Sequence, residues 1–86
     1  MPTISSFYGI FIRMFFNDHA PPQFHVEYAE YKAVIDISAL ALSEGYLPRR
    51  ALNLVLDWAE LHQEELYEDW KLCQAKLPPR QIVPLP

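Results

Sequence analysis

The sequence predicts an α+β fold: an antiparallel sheet of three to four strands, then two C-terminal helices packed on one of its faces. Three observations predict it. Apolar residues recur every second position within Ile10–Phe16, Phe24–Tyr28 and Tyr31–Ile37, the spacing of strands. A Pro-Pro bend separates the first two of these runs. From Pro48 onward the apolar spacing changes to i, i+3, i+4, i+7, the signature of an amphipathic helix.

In the first run Ile10, Ile12, Met14 and Phe16 alternate with Phe11, Arg13 and Phe15, so a strand buried on at least one side is expected. Gly9, just before it, suits a bulge or bend. The bend Asp18–Gln23 follows, stiffened by Pro21 and Pro22. Phe24, Val26 and Tyr28 mark a second strand, and Tyr31, Ala33, Ile35 and Ile37 a third. Joined through Ala29-Glu30, these two pair Tyr28 with Tyr31, Glu27 with Lys32 and Val26 with Ala33. One face then carries Phe24, Val26, Tyr28, Tyr31, Ala33 and Ile35, and needs a helix layer above it. The other carries His25, Glu27, Lys32, Val34 and Asp36. A slip of one residue would exchange the faces. Ser43-Glu44-Gly45 reads as a turn between short pieces of a fourth strand.

Pro48 suits the first position of a helix. Leu52, Val55, Leu56 and Ala59 form one apolar stripe, and Ala51, Leu54, Trp58 and Leu61 a second. One stripe can cover the sheet; the other is expected to meet the next helix or another protein. Glu64, Glu65, Glu68 and Asp69 suit the start of a helix better than its end. A break is therefore expected near His62-Gln63, with a second helix to about Ala75, lined inside by Leu66, Trp70, Cys73 and Leu77. One continuous bent helix is the alternative. The tail Pro78–Pro86 is expected to be extended on the surface, with Ile82, Val83 and Leu85 as pins. The whole is one domain over 1–86, with a sheet-forming half at 1–46, a helical half at 48–76 and a proline-rich tail at 77–86.

Composition narrows the functions. Hydrophobic residues at 51% suffice for one core, and no apolar run reaches the ~20 residues that span a bilayer. The single cysteine, Cys73, forms no internal disulfide, and the N-terminus lacks a secretory pattern, so a cytoplasmic protein is expected. Two glycines exclude a Gly-rich phosphate cradle. The net charge of −4 argues against nucleic-acid binding by the whole surface. Neither a cofactor nor a resident metal is implied.

The candidate site lies around the bend. His19 and His25 are candidates for an acid–base pair acting at phosphorus, with Arg13 or Lys32 stabilising developing charge and Glu27 supporting them. The bland reading has His19 and Asp18 bonded to local backbone and His25 exposed on its strand. Asp18, His19 and His25 match no strong metal-binding spacing. Glu27 and Lys32 are expected to form a cross-strand ion pair worth about 0.2–1 kcal/mol. Arg49 and Arg50 sit where their charge opposes the helix dipole, and suit an acidic partner or phosphate as well as open solvent. Cys73 reads as a core thiol. Trp58 and Trp70 belong to the core unless exposed; an exposed one would be a partner anchor.

The residues also carry a resemblance. Met1-Pro2-Thr3-Ile4-Ser5, Phe7-Tyr8-Gly9-Ile10 and Asp18-His19-x-Pro21-Pro22-x-Phe24-His25-Val26 closely resemble a family of small bacterial proteins known as a domain of unknown function. The likeness continues through Leu47-Pro48-Arg49-Arg50-Ala51-Leu52, Trp58, Glu65-Leu66, Trp70 and Ile82-x-Pro84-Leu85. Members usually carry His where this chain has Gln23, which removes a third imidazole. The resemblance implies a toxin–antitoxin-like gene pair. Together with the second apolar stripe of Pro48–Leu61, it implies that this chain is the protein-binding component, partnered by a small protein encoded next to it, by a second copy, or by both. An RNA- or nucleotide-cleaving enzyme using His19 and His25 is the alternative. Nucleic-acid binding without chemistry would need Arg13, Lys32, Arg49 and Arg50 on one face.

Overall fold

The computed structural model describes residues 2–86; Met1, the first residue of the motif above, lies outside them. Five strands form one antiparallel sheet in sequence order: β1 (Thr3–Phe7), β2 (Ile10–Arg13), β3 (Gln23–Tyr28), β4 (Tyr31–Asp36) and β5 (Ala41–Gly45). Helices α1 (Arg49–Leu61) and α2 (Gln63–Gln74) follow.

The central hairpin has the expected register, with Tyr28 opposite Tyr31, Glu27 opposite Lys32 and Val26 opposite Ala33. Its apolar face is roofed as alternation demands. Phe24, Val26 and Ile35 are fully buried, and the Trp58 ring of α1 meets Phe24 edge-on at 5.9 Å and Phe7 at 5.5 Å.

The sheet is wider than expected, five strands against three to four. The added strand, β1, is hidden in sequence because Ser5 and Ser6 break its apolar rhythm. A bulge between Thr3 and Ser5 also shifts its pairing with β2, so strict alternation fails there. A two-residue turn joins β1 to β2. Tyr8 and Gly9 both take positive φ, 51° and 77°, the sign that tight hairpins require. β2 ends at Arg13, short of Phe16, although Met14 beyond it is fully buried. Ser43-Glu44-Gly45 is strand, not turn: all five residues of β5 are exposed, so burial leaves no pattern to read. Gly45 is required in β5. Its φ is +80°, and a Cβ there would lie 2.2 Å from the Lys32 carbonyl oxygen.

The helices divide at His62, as the acid cluster indicates, with Glu64 and Glu65 in the first turn of α2. α1 does not present two stripes. Its buried residues are Ala51, Val55, Trp58 and Ala59, one face drawn from both expected sets. Leu61 is exposed, and Leu52, Leu54 and Leu56 are half-buried. Inside α2, Leu66, Trp70 and Cys73 are buried as expected. Leu77 is exposed because it lies past the helix end.

The tail crosses back over the body beside β1. The Ile82 amide donates to the Ile4 carbonyl at 2.8 Å, and the Gln81 side-chain amide to the Thr3 carbonyl at 2.6 Å. The indole Nε1 of Trp58 donates to the Val83 carbonyl at 2.9 Å. Ile82 is buried, whereas Val83 is exposed and contributes its backbone only. Asp69 anchors the tail's start: its Oδ1 accepts from the Arg80 amide at 2.8 Å. The carboxylate is 2% exposed, and burial pushes its pKa up. Burial likewise pushes the Cys73 thiol up, with Asp69 adding to the effect, so it stays a protonated core thiol.

Candidate functional site

The face of the sheet opposite the helices carries the polar residues. Strand pairing aligns Thr3, Arg13, His25, Val34 and Glu44 in one cross-strand row from edge to edge. Phe11, Glu27 and Lys32 form the next row. With neighbouring strands about 4.8 Å apart, Arg13 and Glu44 stand roughly 14 Å from each other. The rows border an open groove of about 380 Å³ on which Phe15, His25, Glu27, Lys32, Val34 and Glu44 converge.

His25 is held from two sides. Its Nε2 lies 2.7 Å from Asp18 Oδ2, and its ring packs on Phe15 with centroids 4.0 Å apart. A carboxylate oxygen accepts, so the ring donates Nε2–H to Asp18 Oδ2. Asp18 is itself positioned by the bend and by α2: the Gln74 side-chain amide donates to its carbonyl at 2.9 Å, and Lys76 Nζ bonds Asn17 Oδ1 next to it. The Ile37 amide donates to the Pro22 carbonyl at 3.0 Å, closing the bend against the end of β4.

The ion pair on this face differs from the expected one. Glu27 pairs with Arg13, Nε to Oε2 at 3.6 Å, and no ion pair of Lys32 occurs among the described residues. β3 has a neighbour on each side. Glu27 therefore meets the diagonal guanidinium on β2, while Lys32, directly opposite on β4, stays in solvent. The Arg13 guanidinium also sits 5.8 Å from the Phe11 ring centroid.

Arg13, Asp18, His25, Glu27 and Lys32 thus share one face, the first four held by bonds or pairing. His19 does not join them. It is exposed, and the partner of His25 is a carboxylate rather than a second imidazole. Arg49 and Arg50 stand at the start of α1, on the helix side of the sheet, so the four basic residues do not converge. Trp58 is fully buried and Trp70 nearly so, and neither offers an exposed ring to a partner. Gln23 is buried opposite Asp36. No group of three or more metal-binding side chains occurs among the described residues.

Phe15, Val34 and Glu44 were not candidates from sequence. Phe15 stands on the outward phase of the first alternation, which was a usable signal. Glu44 fell in an apparent turn, which removed it from any face.

The site lies inside a span that defines a family. The chain belongs to the domain of unknown function family DUF4160. The family model matches residues 9–71, from the β1–β2 turn into α2. Within DUF4160 the matched span includes the bend, the polar face and β5, and excludes β1 and the tail that covers it. No curated protein and no solved structure matches the chain.

Proposed function

We propose that this chain is a protein-binding module, one component of a small bacterial toxin–antitoxin-like gene pair, and that it takes up an extended segment of its partner along β5. The observation that carries this is the uncovered edge. β5 ends the sheet, all five of its residues are exposed, and among the described residues only β4 bonds its backbone. An unpaired strand edge is a template for a further strand. Main-chain bonds then supply affinity, and pockets for alternate side chains supply specificity. The groove bounded by Glu44 and Gly45 lies beside that edge and can receive the side chains on one face of an added strand. The partner is the small protein encoded next to this one, as the resemblance suggests.

The test is gel filtration with light scattering, for the chain alone and mixed with the neighbouring gene's product. A complex with the wild type that is lost in Leu42→Lys supports the reading. Leu42 is exposed in β5, and lysine on an edge discourages pairing. A monomer that ignores its neighbour, or a complex indifferent to Leu42→Lys, overturns it.

A second reading, an RNA- or nucleotide-cleaving enzyme, draws on the 2.7 Å His25–Asp18 bond, which orients one imidazole as a base does in general acid–base catalysis. RNA cleavage at neutral pH that persists unchanged in both His19→Ala and His25→Ala would end it.

A further inference from the structure

A second cavity lies on the other side of the sheet, at the end where the hairpins turn. It measures about 380 Å³, near the lower end of the range for small-molecule sites. Ile10, Ala51 and Leu54 give it an apolar interior; Ile10 and Ala51 are buried. Tyr8 and Tyr28 add two aromatic rings, and Arg50 adds a guanidinium. Tyr8 is held in place, since its hydroxyl donates to the Pro86 carbonyl at 2.5 Å. Tyr28 is held by stacking on Tyr31, with an interplanar angle of 14°.

Charge selects the occupant. Arg50 and its neighbour Arg49 form no ion pair among the described residues, and the first turn of α1 contains no acid. On a protein of net charge −4, the unpaired Arg50 guanidinium in the lining of an apolar aromatic cavity is complementary to an anion with a flat apolar body. A guanidinium fork binds a carboxylate in two parallel hydrogen bonds, and tyrosine rings pack on an aromatic ring by offset or edge-on contact. We infer that this cavity is a binding site for a small aromatic carboxylate, with Arg50 on the carboxylate and Tyr8 and Tyr28 against the ring. The site is independent of the β5 edge, and its ligand is a small molecule rather than a protein.

The experiment follows the Ala51 and Leu54 methyl and Tyr28 ring NMR signals of the full chain during titration. The probes are naphthalene-2-carboxylate, naphthalene-2-carboxamide, which keeps the ring and removes the charge, and inorganic phosphate, which keeps charge and removes the ring. The carboxylate is expected to shift these signals saturably, with the carboxamide at least tenfold weaker and phosphate without a saturable effect. Arg50→Gln is expected to bring carboxylate binding down to the carboxamide level, and Leu54→Glu to abolish it. Both positions are outside the buried core, so folded spectra are expected. Equal binding of carboxylate and carboxamide, saturable binding of phosphate alone, or carboxylate binding unchanged in Leu54→Glu would each overturn the assignment.

Discussion

The two edges of this sheet meet opposite fates. At β1 the chain returns, and the tail lays Gln81 and Ile82 against Thr3 and Ile4. At β5 nothing returns among the described residues, and every residue is exposed. Both edges carry a register irregularity of the kind that discourages stray pairing. Only one of them is also covered. In this sheet a covering segment, rather than strand chemistry, separates the structural edge from the available one.

The covered edge can be broken from inside. Trp58 joins three parts of the fold: its ring packs on Phe7 of β1 and Phe24 of β3, and its Nε1–H holds the tail at Val83. Trp58→Ala is expected to cost about 3–5 kcal/mol, measured by urea denaturation, with loss of amide protection at Ile82. A cost below about 1 kcal/mol would mean that the tail and β1 do not depend on this ring.

The open edge is held to β4 through Gly45. Gly45→Ala forces a Cβ toward the Lys32 carbonyl at a positive φ, and is expected to destabilise by about 1–3 kcal/mol. The loss should appear as faster hydrogen exchange in β5 before the rest of the sheet opens. Uniform exchange across all strands would contradict a separately attached β5.

Asp69 gives the smallest effect and a sign with pH. Its carboxyl is raised by burial while accepting from the Arg80 amide. A pKa raised in the folded state gives stability that is full below the ordinary carboxylate value, about 4, and declines as pH rises through the folded value. Asp69→Asn keeps an acceptor for Arg80 without the charge. Its melting temperature is therefore expected to gain on the wild type as pH rises from 4 to 8, while Asp69→Ala, which loses the acceptor, falls below Asp69→Asn throughout. Parallel wild-type and Asn profiles would show that the buried charge carries no cost.

The same contrast explains what the sequence made legible. Where one face is buried and the other wet, as in Phe24–Ile35, alternation specifies register and faces together, and it placed His25, Glu27 and Lys32 on one side; Arg13 joins them through the β2–β3 pairing. The helix break was legible because Glu64 and Glu65 are electrostatically suited to a first turn. Edge strands were not: Ser5 and Ser6 blur β1, and β5 has no buried face to mark it. The Asp18–His25 bond depends on how a proline bend closes, which residue spacing does not encode. His19, one residue from Asp18, faces solvent for the same reason. Asp69 gave no signal because a buried carboxylate in a helix reads like its exposed neighbours Glu65 and Glu68.

The most direct measurement is amide hydrogen exchange of Ala41–Gly45, free and in a mixture with the neighbouring gene's product. Protection that rises across β5 on mixing, with β1 unchanged, is the predicted result. β5 amides that exchange equally fast in both states would contradict strand addition at this edge.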